Sequence, residues 1–199
     1  MIETPERGPE RDAALDAMLP LVPSEGWTMA TLRHALRDAG SEPADAELLF
    51  PGGALDLIEA HSDLADRRME QAGAAPDFAA MRLPAKVRGL IAARLDHSRA
   101  DRDAIRRALG ILALPRNAML AARIVGRTVD TIWHAAGDRS ADFSWYTKRA
   151  ILTGVYSATL LFWLRDESDD QAPTLAFLDR RLADVARIGR LRRRVKIAA

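Results

Sequence analysis

Apolar positions recur at helical spacing along almost the whole chain. Leu15, Met18, Leu19 and Val22 share one side of a helix from about Glu10 to Leu21, which Pro23 stops. Ser24, Glu25 and Gly26 make a turn. Thr28 then N-caps a short helix whose Leu32, Ala35, Leu36 and Ala39 keep the spacing until Gly40 closes it. Pro43 to Phe50 reads as a second short helix, so the three segments outline a helix-turn-helix. After Pro51, Gly52 and Gly53 a long helix runs from Ala54 to about Gln71, and Gly73 to Pro76 interrupts the pattern. Pro84 opens a helix to about Arg99 through Val87, Ile91 and Leu95. Asp101 to Leu114 packs through Ile105, Leu109 and Leu112 as far as Pro115. A helix from near Asn117 carries Leu120, Ile124, Val125, Val129, Ile132 and Trp133 to a stop at Gly137.

The stretch Asp142 to Asp166, DFSWYTKRAILTGVYSATLLFWLRD, is different in kind. It has no charged side chain between Arg149 and Arg165, a run of about 22 Å at helical rise. That is short of the roughly 30 Å of hydrocarbon that a spanning helix crosses. A helix apolar on nearly all sides is therefore expected at the centre of the fold, surrounded by the others. Trp145 and Tyr146 precede the run in the company of Lys148 and Arg149, a rim suited to a partner or a ligand mouth, although aromatics also fill ordinary cores. An acidic linker, Asp166 to Asp170, follows. Pro173 then opens a last helix spaced by Leu175, Leu178, Leu182 and Val185.

No alternating run of β-branched residues reads as a strand, so the class is all-α. The expected organisation is a helix-turn-helix-like module over 10–53, a helical bundle over 54–188 and a basic tail over 189–199. A recognition helix must offer cations or amides to phosphates and base edges, yet the segment at Ser41 to Phe50, SEPADAELLF, carries Glu42, Asp45 and Glu47 and no cation. Duplex DNA would repel it, and no nucleic-acid partner is expected. Lys plus Arg number 29 against 28 Asp plus Glu, so overall charge offers no counter-argument. The absence of cysteine removes disulfides, thiolate ligands and thiol nucleophiles. The first residues, acidic and without an apolar core, read as neither a signal nor a transit peptide. The expected location is the bacterial cytoplasm, peripherally at the inner membrane.

The chemistry of a site is hard to find. A ferritin-like di-iron centre needs a Glu three residues before a His on each of two helices. The positions before His34, His61, His97 and His134 are Thr31, Ile58, Arg94 and Thr131. Only Asp130 and His134 stand four apart as carboxylate and imidazole, which suits a local hydrogen bond better than a metal. Neither a nucleophile elbow nor a phosphate loop is present. No metal, cofactor or catalytic residue is expected. Helices 54–71, 117–136 and 144–165 could instead line a cavity for an apolar ligand, with Leu57, His61, Leu64, Ile151, Val155, Tyr156, Thr159 and Trp163 as walls. Periodicity alone does not distinguish such a cavity from filled core. In the terminal RIGRLRRRVKIAA, Leu191 shares an apolar face while Arg190, Arg192, Arg193, Arg194 and Lys196 crowd the rest. This suits an anionic membrane surface, or a solvated tail.

Three segments carry a resemblance: LFPGGALDLIEAHSDLADRRM, TVDTIWHAAGDRSADFSWYTKRAILTGVYSATLLFWLRD and FLDRRLADVARI. They resemble the ubiquinone-biosynthesis accessory proteins, the ninth family of the coenzyme Q series, over about residues 10–190. That family is similar in fold to TetR-type regulators but binds isoprenoid lipids. The resemblance implies a TetR-like bundle with a degenerate helix-turn-helix. It also implies a non-enzyme that binds an isoprenoid quinone precursor and presents it to the di-iron demethoxyubiquinone hydroxylase. It places a partner surface at Asp130, Trp133, His134, Asp138, Trp145, Tyr146 and Arg149. Longer family members continue into an amphipathic C-terminal helix, so membrane binding here is expected to be weaker and more salt-sensitive. A two-fold dimer is expected by analogy with TetR-like bundles. The alternatives are a ligand-responsive regulator of TetR type and an interaction scaffold with a solid core.

Overall fold

A computed structural model describes residues 5–138 and 144–198, with side chains described as far as Arg187 apart from those of Ala79 and Ser144. Every regular element among them is helical. The order is α1 (Pro9–Met18), α2 (Val22–Glu25), α3 (Met29–Asp38), α4 (Asp45–Leu49), α5 (Gly53–Gly73), α6 (Pro76–Ala79), α7 (Leu83–His97), α8 (Arg102–Leu112), a 3-10 turn (Pro115–Asn117), α9 (Ala118–Ala135), α10 (Ser144–Trp163) and α11 (Ala172–Ala198). No single helix among the described residues is long and apolar enough to cross a membrane.

The chain groups into two compact units, one of residues 1–69 with 96–128 and one of residues 70–95 with 129–199. These units do not follow the expected division at residue 53. The reason is the core of the first unit, which draws on Leu57, Ile58 and Leu64 of α5 and Ala104, Ala108 and Leu112 of α8 as well as on the N-terminal helices.

In the first unit the local signals act as the sequence suggests. Thr28 caps α3 by accepting from the Thr31 backbone N–H at 3.1 Å. Gly40 takes φ +74° and closes the helix, its N–H bonding to Arg37 O and that of Ser41 to Leu36 O, the paired bonds of a Schellman end. Pro23 does not simply stop the chain but sits in the first turn of α2. Trp27 is buried and donates from Nε1 to Ala104 O at 2.9 Å, which ties the α2–α3 connection to α8.

In the second unit α10 packs on α11. Leu152, Val155, Tyr156, Thr159 and Trp163 are buried at helical spacing, but Ile151 is 40% exposed and Leu161 58%. The central helix is therefore buried along one face, and the expectation that neighbours surround it is corrected. Lack of charge is not burial: Ala150 and Gly154 offer little apolar surface to hide, so their side can stay open.

The supposed acidic linker is also built. Asp166 is 7% exposed and accepts from Ser168 N at 3.0 Å, Ser168 Oγ at 2.6 Å, Thr174 N at 3.0 Å and the Thr174 hydroxyl, which holds the start of α11. Burial alone would raise its pKa; the hydrogen bonds from Ser168 and Thr174 outweigh burial and bring the pKa from 3.8 to about 2. A carboxylate whose folded pKa is depressed adds stability above its unfolded value and loses it as pH falls through the folded one. A depression of that size corresponds to about 2 kcal/mol. Asp166→Asn is expected to cost about that much in urea titrations at pH 6, and the gap should close as pH approaches 2. A gap independent of pH would contradict the assignment.

Candidate functional site

The expected partner residues lie together in the second unit. The α9 helix ends in a Schellman motif: Gly137, at φ +83°, bonds from N–H to His134 O, and Asp138 bonds from N–H to Trp133 O at 3.0 Å. That turn delivers the Asp138 carboxylate to Lys148 of α10, where Nζ donates to Oδ1 at 2.9 Å. One turn back on α9, Asp130 pairs with the Arg149 Nε. Asp130 is thus committed to α10, whereas the exposed His134 ring sits 4.0 Å from Glu70, so their four-residue spacing produces no local bond.

Around these ion pairs the aromatics and cations are interleaved. The Arg149 guanidinium lies 3.7 Å over the Trp145 ring, and Trp145 meets Tyr146 edge-on at 4.7 Å between centroids. Lys148 Nζ stands 5.7 Å over the Trp133 ring. Tyr146 is 69% exposed, unusually open for a large aromatic held by so much structure. Two buried donors in this region, Trp133 Nε1 and Arg149 Nη1, have no hydrogen-bond partner among the described residues. A buried donor without an acceptor costs about 1–3 kcal/mol, so each is a local cost that the surrounding packing and ion pairs must outweigh.

Beside this patch runs an apolar groove of about 230 Å³, formed by Val87 of α7, Ile151, Leu152 and Val155 of α10, and Leu182 and Val185 of α11. Trp133 and Lys148 line it too, so patch and groove share two residues. Its walls are braced: Arg88 on α7 donates from Nε and Nη2 to Asp179 on α11 at 2.7 and 3.1 Å, and this guanidinium holds the Asp179 carboxyl below its ordinary pKa. The groove is smaller than the roughly 300–1,000 Å³ of sites that enclose a drug-sized ligand. It has room for part of a long molecule.

The eight positions named as cavity walls have different surroundings. Ile151 and Val155 line the groove. Tyr156 is buried under the Arg94 guanidinium, 5.5 Å from the ring. Thr159 donates to Val155 O at 2.7 Å, and Trp163 Nε1 donates to Gln171 Oε1 at 2.7 Å, so both polar groups are used within the second unit. Leu57, His61 and Leu64 belong to the first unit, where Leu57 and Leu64 are core and the His61 ring lies 5.4 Å from that of Trp27. The side chains of Arg190, Leu191, Arg192, Arg193, Arg194 and Lys196 lie outside those described. Sequence reasoning missed the groove walls from α7 and α11. Their only signal was the spacing of Leu83 and Val87, and of Leu178, Leu182 and Val185, which reads equally well as core. No group of three His, Asp or Glu that could hold a metal occurs among the described residues.

Residues 118–189 match the COQ9 family model. The chain is 32% identical over 181 residues to the mitochondrial ubiquinone biosynthesis protein COQ9 of Xenopus tropicalis, covering 88% of this chain and 57% of that one. With its Rattus norvegicus counterpart the figures are 31% over 191 residues, 92% and 60%, and with that of Homo sapiens 30% over 196 residues, 92% and 59%. The chain therefore spans less than two thirds of the length of these relatives. Among solved structures it is similar to a TetR transcriptional regulator from Nitrosomonas europaea, with a TM-score of 0.74 and 26% identity, covering 90% of this chain and 99% of that one. The expected TetR-like, all-α architecture is thereby met. The expectation of a bacterial cytoplasmic location at the inner membrane is overturned, because these relatives are named as mitochondrial proteins.

Proposed function

The chain is a relative of the COQ9 ubiquinone biosynthesis proteins, and on that premise we propose that it binds an isoprenoid quinone precursor and presents it to the di-iron demethoxyubiquinone hydroxylase. The observation that carries this reading is the continuity of the apolar groove with the aromatic and cationic patch through Trp133 and Lys148. A carrier needs an apolar bed for the lipid and, next to it, a surface that the consuming enzyme can grip. Each methylene withdrawn from a bilayer needs an apolar replacement worth about 0.8 kcal/mol, which the walls of Val87, Leu152, Val155 and Leu182 offer. The partner surface consists of Trp145, Tyr146 and Arg149 with Asp130, His134 and Asp138, and aromatic and arginine side chains are those that dominate interface energetics. The oxidative chemistry belongs to the partner, so no catalytic residue is assigned to this chain.

A second reading, a regulator that binds DNA, is favoured by the likeness in fold to the Nitrosomonas europaea transcriptional regulator. The residues speak against it: α4 carries Asp45 and Glu47 in its first turn, and Arg33 of α3 is spent on Glu47.

The test is turnover. Added to the hydroxylase with demethoxyubiquinone in liposomes, the chain is expected to raise the rate of ring hydroxylation several-fold and to co-elute with the enzyme. An unchanged rate with no co-elution would remove presentation from the account.

A further inference from the structure

The helix-turn-helix-like module carries a hollow of its own, which the proposed function does not use. There α1 packs on α3 and α3 on α4, and because α1 lines this corner with small residues, Ala13 and Ala17 among them, a groove of about 520 Å³ stays open against Leu36 of α3 and Leu48 and Leu49 of α4. Leu48, one of its walls, is 78% exposed. The rim is acidic. Glu10 and Asp45 line it and make no ion pair among the described residues, whereas other acids of these helices are committed, Glu47 to Arg33, Asp12 to Arg67 and Asp16 to Arg68. No Lys or Arg occurs among the described lining residues. Two free carboxylates beside an apolar trough favour an occupant that is both cationic and amphipathic, and repel the phosphates of a duplex.

We propose that this N-terminal groove is a docking site for the basic C-terminal segment of a second copy of the chain. That segment, RIGRLRRRVKIAA over residues 187–199, has Ile188, Leu191 and Val195 at helical spacing and carries five Arg and one Lys with no Asp or Glu. A helix laid in a groove is held by apolar anchors three, four and seven residues apart, which is the spacing those residues have. The backbone of α11 runs as helix to Ala198, so the segment arrives already helical and the ordering cost of docking is lowered. In the docked pair Leu36, Leu48 and Leu49 receive the apolar anchors, and Glu10 and Asp45 receive the cations. The docking is independent of lipid binding, because the N-terminal groove lies wholly in the first unit. It gives the acidic α4 and the basic terminus one shared role.

The probe is a fluorescein-labelled peptide of residues 187–199, titrated with the full chain at low salt and read by fluorescence anisotropy. A scrambled peptide of the same composition runs beside it. The unaltered chain is expected to bind the native peptide about tenfold more tightly than the scramble, since burying one leucine-sized anchor is worth at least about that factor. Leu48→Ser, and separately Glu10→Lys combined with Asp45→Lys, should each weaken binding about tenfold. All three positions are exposed, so circular dichroism should stay unchanged. Added salt should weaken the complex further. Absence of binding, binding that the scramble equals, or binding that both variants leave intact overturns the docking site. A peptide that binds vesicles of anionic phosphatidylglycerol but not the chain overturns it as well, and assigns the segment to a membrane surface.

Discussion

Replacing Trp145 with lysine is expected to weaken capture of the hydroxylase about 100-fold, equivalent to about 2.7 kcal/mol, with helical content unchanged. The ring lies under the Arg149 guanidinium at 3.7 Å and edge-on to Tyr146 at 4.7 Å, so it orders both of its neighbours. Lysine removes the ring, discards the cation–π contact and sets a second positive charge against Arg149, which is already bound to Asp130. Trp145→Phe should fall between the two, because a smaller ring still receives the guanidinium. The patch is solvent-facing at Tyr146, so the variant should keep its circular dichroism and melting temperature. In the turnover assay the lysine variant should bring stimulation close to the rate of the enzyme alone. Capture and stimulation at the unaltered level would show that the hydroxylase docks elsewhere.

The second large effect concerns stability. Asp63→Ala is expected to cost about 3–5 kcal/mol, because removing the buried carboxylate takes a shared partner from Arg7, Arg67 and the buried Arg127 at once. The Asp63 side chain is 2% exposed and accepts from Arg7 Nε and Nη2 at 2.9 and 2.8 Å and from Arg67 Nε at 3.1 Å, while Arg127 Nε stands 3.7 Å away. Arg127 is itself buried and keeps only Glu59 once Asp63 is gone, whereas Arg67 retains its two bonds to Asp12. The network joins the N-terminal segment, α1, α5 and the middle of α9 within one unit. Urea unfolding should show an earlier midpoint with little change in slope. Asp63→Asn, which keeps a carbonyl acceptor, should lie between. A loss below about 1 kcal/mol would show that the cluster is a solvated surface array, of the kind that contributes little.

Much of this architecture could be read from residues alone, where the signal was local. Thr28, Gly40 and Pro84 stand at helix ends because capping, a left-handed turn and a fixed φ act within a few residues. The partner patch was named through resemblance, and its geometry followed from the Gly137 turn that brings Asp138 to Lys148. What escaped depended on distant pairing. The uncharged run of α10 suggested a helix enclosed on all sides, but small residues on one face let Ile151 and Leu161 remain open. Asp130 and His134 looked like a local pair until α10 supplied Arg149. Asp166 passed for linker, since nothing nearby in sequence announced that Thr174, eight residues on, would close over it. Leu57 and His61 shared a plausible face with the lining residues but take part in a different unit, a distinction that periodicity does not carry.

The lipid is the centre of the account, so the most direct measurement is mass spectrometry of what the chain carries. Protein purified without detergent from a ubiquinone-producing host should be examined intact under native conditions and then extracted with organic solvent. The account predicts a polyprenyl quinone or its ring-substituted precursor in the extract, at a substantial fraction of one molecule per chain. Protein that flies at its bare mass and releases no isoprenoid compound would contradict it.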